Sequence, residues 1–300
     1  MTIYSNISAN RRNTWLLMFV FVIFVAGIVE LIALAVGGSY IIGIAALIVA
    51  LIFVTINYYT ASSLVLSVSR AREVKREDYP DLYNIVENLC IGDGLPMPKI
   101  YIIDDKAPNA FTTGRDPQHA QLVITSGLLQ KMNKLELEGV IAHELSHIKD
   151  YDIRLMTLIV VLVGLVALVA DFMLIFTWFG TGSRPSNRGR GEGAVGAIIL
   201  LAAILAAIFA PIAAQLLQLA ISRNREYLAD SSGALLTRYP EGLASALEKI
   251  AADNEPLEVA NKATAHLYIA NPLKGHESWA NNLFSTHPPI EERIRRLRAM

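Results

Sequence analysis

The segment Ala142-His143-Glu144-Leu145-Ser146-His147 carries two imidazoles four residues apart, with a carboxylate beside the first. Residues four apart on a helix share a face. His143 and His147 can therefore present ring nitrogens to one point, at the roughly 2.0–2.1 Å that zinc requires. Glu144 cannot easily join them as a ligand, but it can reach a water held by the metal. A carboxylate beside such a water is the arrangement that hydrolyses peptide bonds. A short pattern with three fixed positions also arises by chance, so the rest of the chain has to support it.

Two histidines do not complete a catalytic zinc site, which uses three protein ligands and a water. The candidates are His119, His266, His276, His287 and the carboxylates. Glu226 is favoured: it stands in the helical stretch Arg225-Glu226-Tyr227-Leu228-Ala229-Asp230, and Asp230 shares its face. Like charges at that spacing repel mildly, and a bound cation would explain them. A ligand histidine commonly donates its second N–H to a carboxylate, and Asp230 is placed to receive it from His143. His119, His266 and His276 read as surface residues. The single cysteine, Cys90, excludes an internal disulfide and a cysteine-rich zinc site, and reads as a small buried side chain.

Half of the 300 residues are hydrophobic (53%), concentrated in long runs, which indicates a membrane protein with a soluble part. Four runs have the roughly 20 apolar residues a span needs: 15–36, 40–58, 155–179 and 194–221. The first two form a hairpin across Gly37-Gly38-Ser39, and the first reads as a signal anchor rather than a cleaved signal. Arg11, Arg12, Arg70, Arg72, Lys75, Arg76, Arg223 and Arg225 fall on one side, assigned to the cytoplasm. Arg184, Arg188 and Arg190 oppose this weakly, and spans three and four could instead dip into the bilayer as a hairpin. Glu30 and Asp171 are ionisable groups at membrane depth, and Pro211 reads as a kink. The net charge of −1 gives no reason to expect nucleic-acid binding.

The chain thus divides into a tail and hairpin (1–59), a first soluble block (60–154), a second hairpin (155–221) and a second soluble block (222–300). In the first block a helix is expected near Tyr79–Leu89, a turn over Ile91–Pro98, and strands at Lys99–Ile103, Ala110–Thr113 and Gln121–Thr125. A helix beginning near Lys134 carries the histidines. In the second block helices are expected near Arg225–Leu236, Glu241–Ala252 and Pro289–Ala299, with weak signals over Leu257–Glu277. Along a continuous helix His147 would stand about 12 Å from Leu155, and Glu226 about 7.5 Å from Ile221. Neighbouring spans would bring the two blocks together just above the membrane.

His143-Glu144-x-x-His147 followed by Glu226-x-x-x-Asp230 resembles the gluzincin pattern. With the flanking spans, Glu226-Tyr227-x-Ala229-Asp230 and the late Ser285-Thr286-His287-Pro288-Pro289, the chain resembles HtpX-type membrane metallopeptidases, relatives of the CAAX-prenyl proteases. The resemblance covers essentially the whole chain. It implies an α+β membrane protein with four transmembrane helices and a mainly helical cytosolic protease domain bearing a small β-sheet. It implies a zinc endopeptidase of the cytoplasmic membrane, active at the cytosolic face in membrane-protein quality control. One Zn2+ per chain would be held by His143, His147 and Glu226, with Glu144 as general base and Asp230 behind His143. Pro108-Asn109-Ala110-Phe111 resembles the edge strand on which gluzincins bind extended peptides, so Asn109 and Ala110 would meet substrate. His287 could donate to the oxyanion. The partners implied are protein substrates and the lipid bilayer; oligomeric state is left open. The alternative is a zinc-binding membrane scaffold or sensor, against which Glu144 argues, since a structural site has no use for it.

Overall fold

The computed structural model describes residues 8, 12–16, 18–20, 22–23, 41–161, 223–260, 264–270, 272 and 288–300. Glu30, Asp171, Pro211, His276, His287 and most of spans three and four lie outside them. Helix α1 (Ile41–Val68) leads into a four-stranded mixed sheet: β1 (Arg72–Glu73), β2 (Lys99–Ile103), β3 (Ala110–Thr113) and β4 (Gln121–Thr125). Helix α2 (Pro80–Asp93) lies between β1 and β2. The strand order is β1-β2-β4-β3, with β2 and β4 parallel and both outer pairs antiparallel. After the sheet come α3 (Ser126–Lys131), α4 (Lys134–Lys149) and a helix over residues 152–161, α5. Then follow α6 (Arg223–Thr237), α7 (Pro240–Ala252) and α8 (Ile290–Leu297).

Strand β2 reads Lys-Ile-Tyr-Ile-Ile, apolar on both faces, because both faces of the sheet are covered. Ile100, Ile102, Leu122 and Ile124 pack with Val140, Ile141, Leu145 and Ile148 of α4. Ile103, Phe111 and Val123 pack on the other side with Val65 and Leu66 of α1 and Met156 and Val160 of α5.

Helix α4 is the hub, and nearly every residue from Glu136 to Ile148 is buried. It starts on a capping box: the Asn133 side chain accepts from the Glu136 amide, and the Glu136 carboxylate accepts from the Asn133 amide. Glu136 also accepts from Ser245 Oγ (2.6 Å) and Lys249 Nζ (2.7 Å), which fastens α7 to this end. Two glycines set how closely the neighbours approach. A Cβ on Gly139 would lie 2.6 Å from Leu243 N, and one on Gly233 would lie 2.9 Å from His143 N. Only glycine lets α6 and α7 lie this close against α4, and the approach at Gly233 brings Glu226 and Asp230 to the histidines.

The three longer strands fall where the sequence placed them, and α2 and α6 to α8 match their expected helices within a few residues. Three expectations are corrected. The second apolar run does not stop at Tyr58; α1 continues to Val68, because Val65 and Leu66 are core residues of the soluble part. Leu47–Val68 is, among the described residues, the helix long and apolar enough to cross a membrane by length and composition. Helix α2 runs through Ile91 to Asp93 and ends at Gly94, which is left-handed (φ 68°). The histidine helix does not continue straight toward Leu155: α4 ends at Lys149, Tyr151 turns the chain with φ 60°, and α5 starts afresh. The 12 Å estimate along one rod therefore fails.

Candidate metal centre

Four elements build the site. Helix α4 supplies His143, Glu144 and His147; α6 supplies Glu226 and Asp230; the first turn of α5 supplies Asp152; α8 supplies Arg293. The Nε2 atoms of His143 and His147 face each other at 3.2 Å. Glu226 Oε1 lies 3.6 Å from His147 Nε2, and Oε2 lies 3.8 Å from His143 Nε2. These three buried side chains are the described group able to hold a metal, with one ligand atom of each within 4.8 Å of the others.

The far side of each ring explains the near side. His143 Nδ1 is 3.0 Å from Asp230 Oδ1, and His147 Nδ1 is 3.0 Å from Asp152 Oδ2. Each Nδ1–H donates to a carboxylate, so each Nε2 offers a lone pair to the same point. Two lone pairs facing at 3.2 Å cannot satisfy each other, but a cation between them can. Ligands around a tetrahedral zinc stand about 3.3–3.5 Å apart at ordinary bond lengths, close to the separations seen. The field agrees. Burial alone would push His147 down, but the hydrogen bond to Asp152 and the charges of Glu226, Asp152 and Glu144 raise it to about 9. The cluster favours positive charge here, and its donor set fits zinc.

Glu144 is buried beside the cluster, and its Oε2 accepts from Thr112 Oγ1 at 3.0 Å. Burial raises its pKa, against the lowering influence of both imidazoles and of Thr112. A carboxylate moved upward is better able to hold a proton.

Arg293 was not singled out from the sequence. It is fully buried, and it donates through Nε (2.8 Å) and Nη2 (2.6 Å) to Asp230, and through Nη1 to the Ile269 carbonyl (2.8 Å). Its Nη1 also lies 3.5 Å from Glu226 Oε2. A signal was present: Ile290, Ile294 and Leu297 face inward on α8, and Arg293 sits on that apolar side. Asp152 was missed as well, because it lies past the turn that ends α4.

His119 is exposed and pairs with Asp116. His266 is corrected: it is buried, with Nε2 3.2 Å from the Met156 carbonyl, so it belongs to the core rather than the surface. Asn109 does not present its side chain outward. It is buried, donates to the Ala270 carbonyl (3.2 Å) and accepts from the Ala110 amide (3.1 Å). The Ala110 carbonyl in turn accepts from the Ile269 amide at 3.0 Å. The outer edge of β3 at Ala110 is thus taken by the chain itself, and by strand parity the next outward-facing backbone is that of Thr112.

The sequence model of peptidase family M48 matches residues 76–300. "Protease HtpX homolog" of Dictyoglomus turgidum is 48% identical over 305 residues, covering all of this chain and 95% of that protein. The protein of the same name from Tropheryma whipplei is 47% identical over 297 residues, covering 99% of this chain and 98% of its own. The fold is similar to the crystal structure of S. mikatae Ste24p, at a TM-score of 0.50 and 21% identity, over 85% of this chain. This chain spans 58% of that protein's length. The family match over three quarters of the sequence, with full-length protease relatives, is the same conclusion the site geometry reaches: this chain belongs to peptidase family M48 and is a metalloprotease.

Proposed function

We propose that the protein is a zinc-dependent endopeptidase of the cytoplasmic membrane, cutting misfolded or damaged membrane proteins at the cytosolic face. The observation that carries this is the convergence of His143 Nε2, His147 Nε2 and the Glu226 carboxylate, with Glu144 alongside. These three residues would hold one Zn2+ per chain, and Asp230 and Asp152 would fix the tautomers of the two rings. A zinc ion held there supplies Lewis acidity, acidifying a water and polarising a carbonyl. Glu144 accepts the water's proton on its carboxylate and later delivers it to the leaving amine. Thr112 keeps that carboxylate in one orientation through its 3.0 Å hydrogen bond. A peptide extended along the outer edge of β3 would exchange main-chain hydrogen bonds at Thr112, next to Glu144, and Asn109 and Ala110 would shape the end of that edge. His287, which lies outside the described residues, would donate to the oxyanion.

The substrate class follows from the relatives' kind and from the apolar helix Leu47–Val68 that adjoins the domain. A site joined to such a helix would meet loops and tails emerging from the bilayer. The four-span topology and the division at residues 59, 154 and 221 belong to this reading, with the last turns of α1 running past the first boundary into the soluble core. The test is Glu144→Gln in detergent-purified protein, with metal content and casein cleavage measured together. One zinc per chain in both proteins, with cleavage in wild type alone, is the expected result. Cleavage retained in the variant overturns the role of Glu144, and zinc in both with cleavage in neither favours a non-catalytic zinc scaffold.

A further inference from the structure

The hydrolytic machinery leaves unused a basic and aromatic groove where α1, α5 and the chain after β3 meet. Tyr58, Ser62, Gly114, Arg115, Arg154 and Thr157 line it, and it opens to the outside. The Arg154 guanidinium lies over the rings of Tyr58 (5.8 Å) and Tyr151 (5.2 Å), and that of Arg115 lies over Tyr59 (5.2 Å). Arg154 Nε donates to the Arg115 carbonyl at 2.5 Å, which holds the two arginine-bearing segments together. Trp15 stacks on Tyr58 at 6.3 Å, and Tyr58 meets Tyr59 edge-on at 5.2 Å. Above this aromatic cluster α1 exposes Ile56, Ile52, Leu51 and Ile48.

The charges in the groove do not cancel. Asp116 lies 3.5 Å from Arg115 Nε, but the same carboxylate also takes the His119 ring at 2.6 Å. Among the described residues Arg154 makes no ion pair; its neighbours are the two tyrosine rings and the Arg115 carbonyl. Stacked guanidiniums keep N–H edges available for bidentate contact with a phosphate. Tryptophan and tyrosine concentrated below an exposed apolar helix face mark the level of a membrane–water interface. A phosphate in the groove would carry its chains upward along that same face.

We propose that this groove binds the phosphate of an anionic phospholipid, with the acyl chains lying along the exposed face of α1. The proposal goes beyond the protease reading and requires no metal. Its floor is nevertheless shared with the site. Thr157 Oγ1 accepts from the Gly114 amide (3.2 Å) and lies 2.8 Å from Thr113 Oγ1, one residue from Thr112. A lipid seated here would bear on the strand that holds Glu144.

The test uses the full chain in neutral detergent, titrated with fluorescent phosphatidylglycerol or phosphatidylcholine. Wild type is expected to bind the glycerol lipid saturably and the choline lipid at least tenfold more weakly. Arg115→Gln with Arg154→Gln is expected to lose roughly 10–30-fold, from about tenfold or less per interfacial arginine. Arg76→Gln with Arg295→Gln removes the same charge from exposed positions elsewhere and is expected to change nothing. Ser62→Glu, which leaves both arginines in place, is expected to abolish saturable binding and stands in if the double variant does not fold. Unchanged binding in the groove variants, equal binding of both lipids, or full competition by glycerol 3-phosphate at equal concentration would overturn the assignment.

Discussion

The two imidazoles of the metal cluster are each backed by a carboxylate and then by an arginine, but the two chains of charge are built differently. Behind His143 stands Asp230, clasped by Arg293 through two short hydrogen bonds in a fully buried setting. Behind His147 stands Asp152, which Arg225 reaches only at 3.7 Å. Burial would raise the Asp230 pKa, yet Arg293 and His143 hold it below the usual carboxylate range. Arg293 is likewise raised by Asp230 and Glu226 against the effect of burial, whereas burial lowers Arg225 despite Asp152 and Glu226. One support is assembled from the end of the chain and is electrostatically complete. The other is local, five residues from its histidine, and depends on a turn more than on its arginine.

That contrast predicts unequal damage. Arg293→Met leaves Asp230 buried without its cation, and such losses cost about 3–5 kcal/mol. Denaturant unfolding in detergent should register it, and a change under 1 kcal/mol would mean that α8 is held by its apolar contacts alone. Next come the carboxylates. Asp230→Ala and Asp152→Ala should each weaken zinc affinity by about 10–100-fold, measured by chelator competition. The Asp230 variant should lie at the upper end, because it also strands Arg293; equal losses would erase the distinction. Arg225→Gln should weaken zinc binding less than either carboxylate variant, since Arg225 stands 3.7 Å from Asp152 and leaves the His147–Asp152 hydrogen bond in place.

The smallest effect supplies a control on the same helix. Burial pushes Glu136 upward, but Lys249, Ser245 and the Asn133 amide outweigh it and hold its pKa below the usual value. A carboxylate depressed in the folded state contributes stability above its unfolded pKa of about 4.3, and that contribution is lost as pH falls through the folded value. Stability should therefore drop in this acid window, and Lys249→Met should flatten the drop. Zinc affinity at pH 7 should stay within about twofold, since this pair touches no imidazole.

What could be read from the sequence divides along the same line. His143, Glu144, His147, Glu226 and Asp230 are related by helical spacing, which periodicity exposes. The strands at Lys99–Ile103, Ala110–Thr113 and Gln121–Thr125 are short β-branched or aromatic runs between turn residues, and they form as expected. Asp152 has no periodic relation to His147, because a left-handed residue intervenes. Arg293 is one of several arginines on an amphipathic helix, and only its place on the apolar side with Ile290, Ile294 and Leu297 sets it apart. The burial of His266 and the inward commitment of Asn109 are tertiary facts, set by Met156 and Ala270, which are distant in sequence.

The turn at Asp150-Tyr151 has a consequence for what the chain tolerates. Surface connections usually accept an extra residue. Here the Asp150 amide returns to Ser146 O at 3.0 Å and the Tyr151 amide to Ile148 O at 3.2 Å, and α5 begins at once with Asp152. One residue added or removed would rotate α5 by about 100° relative to α4. Asp152 would swing off His147, and Arg154 would leave its tyrosines. The joint is a spacer of fixed length, and it keeps the metal cluster and the basic groove in register with each other.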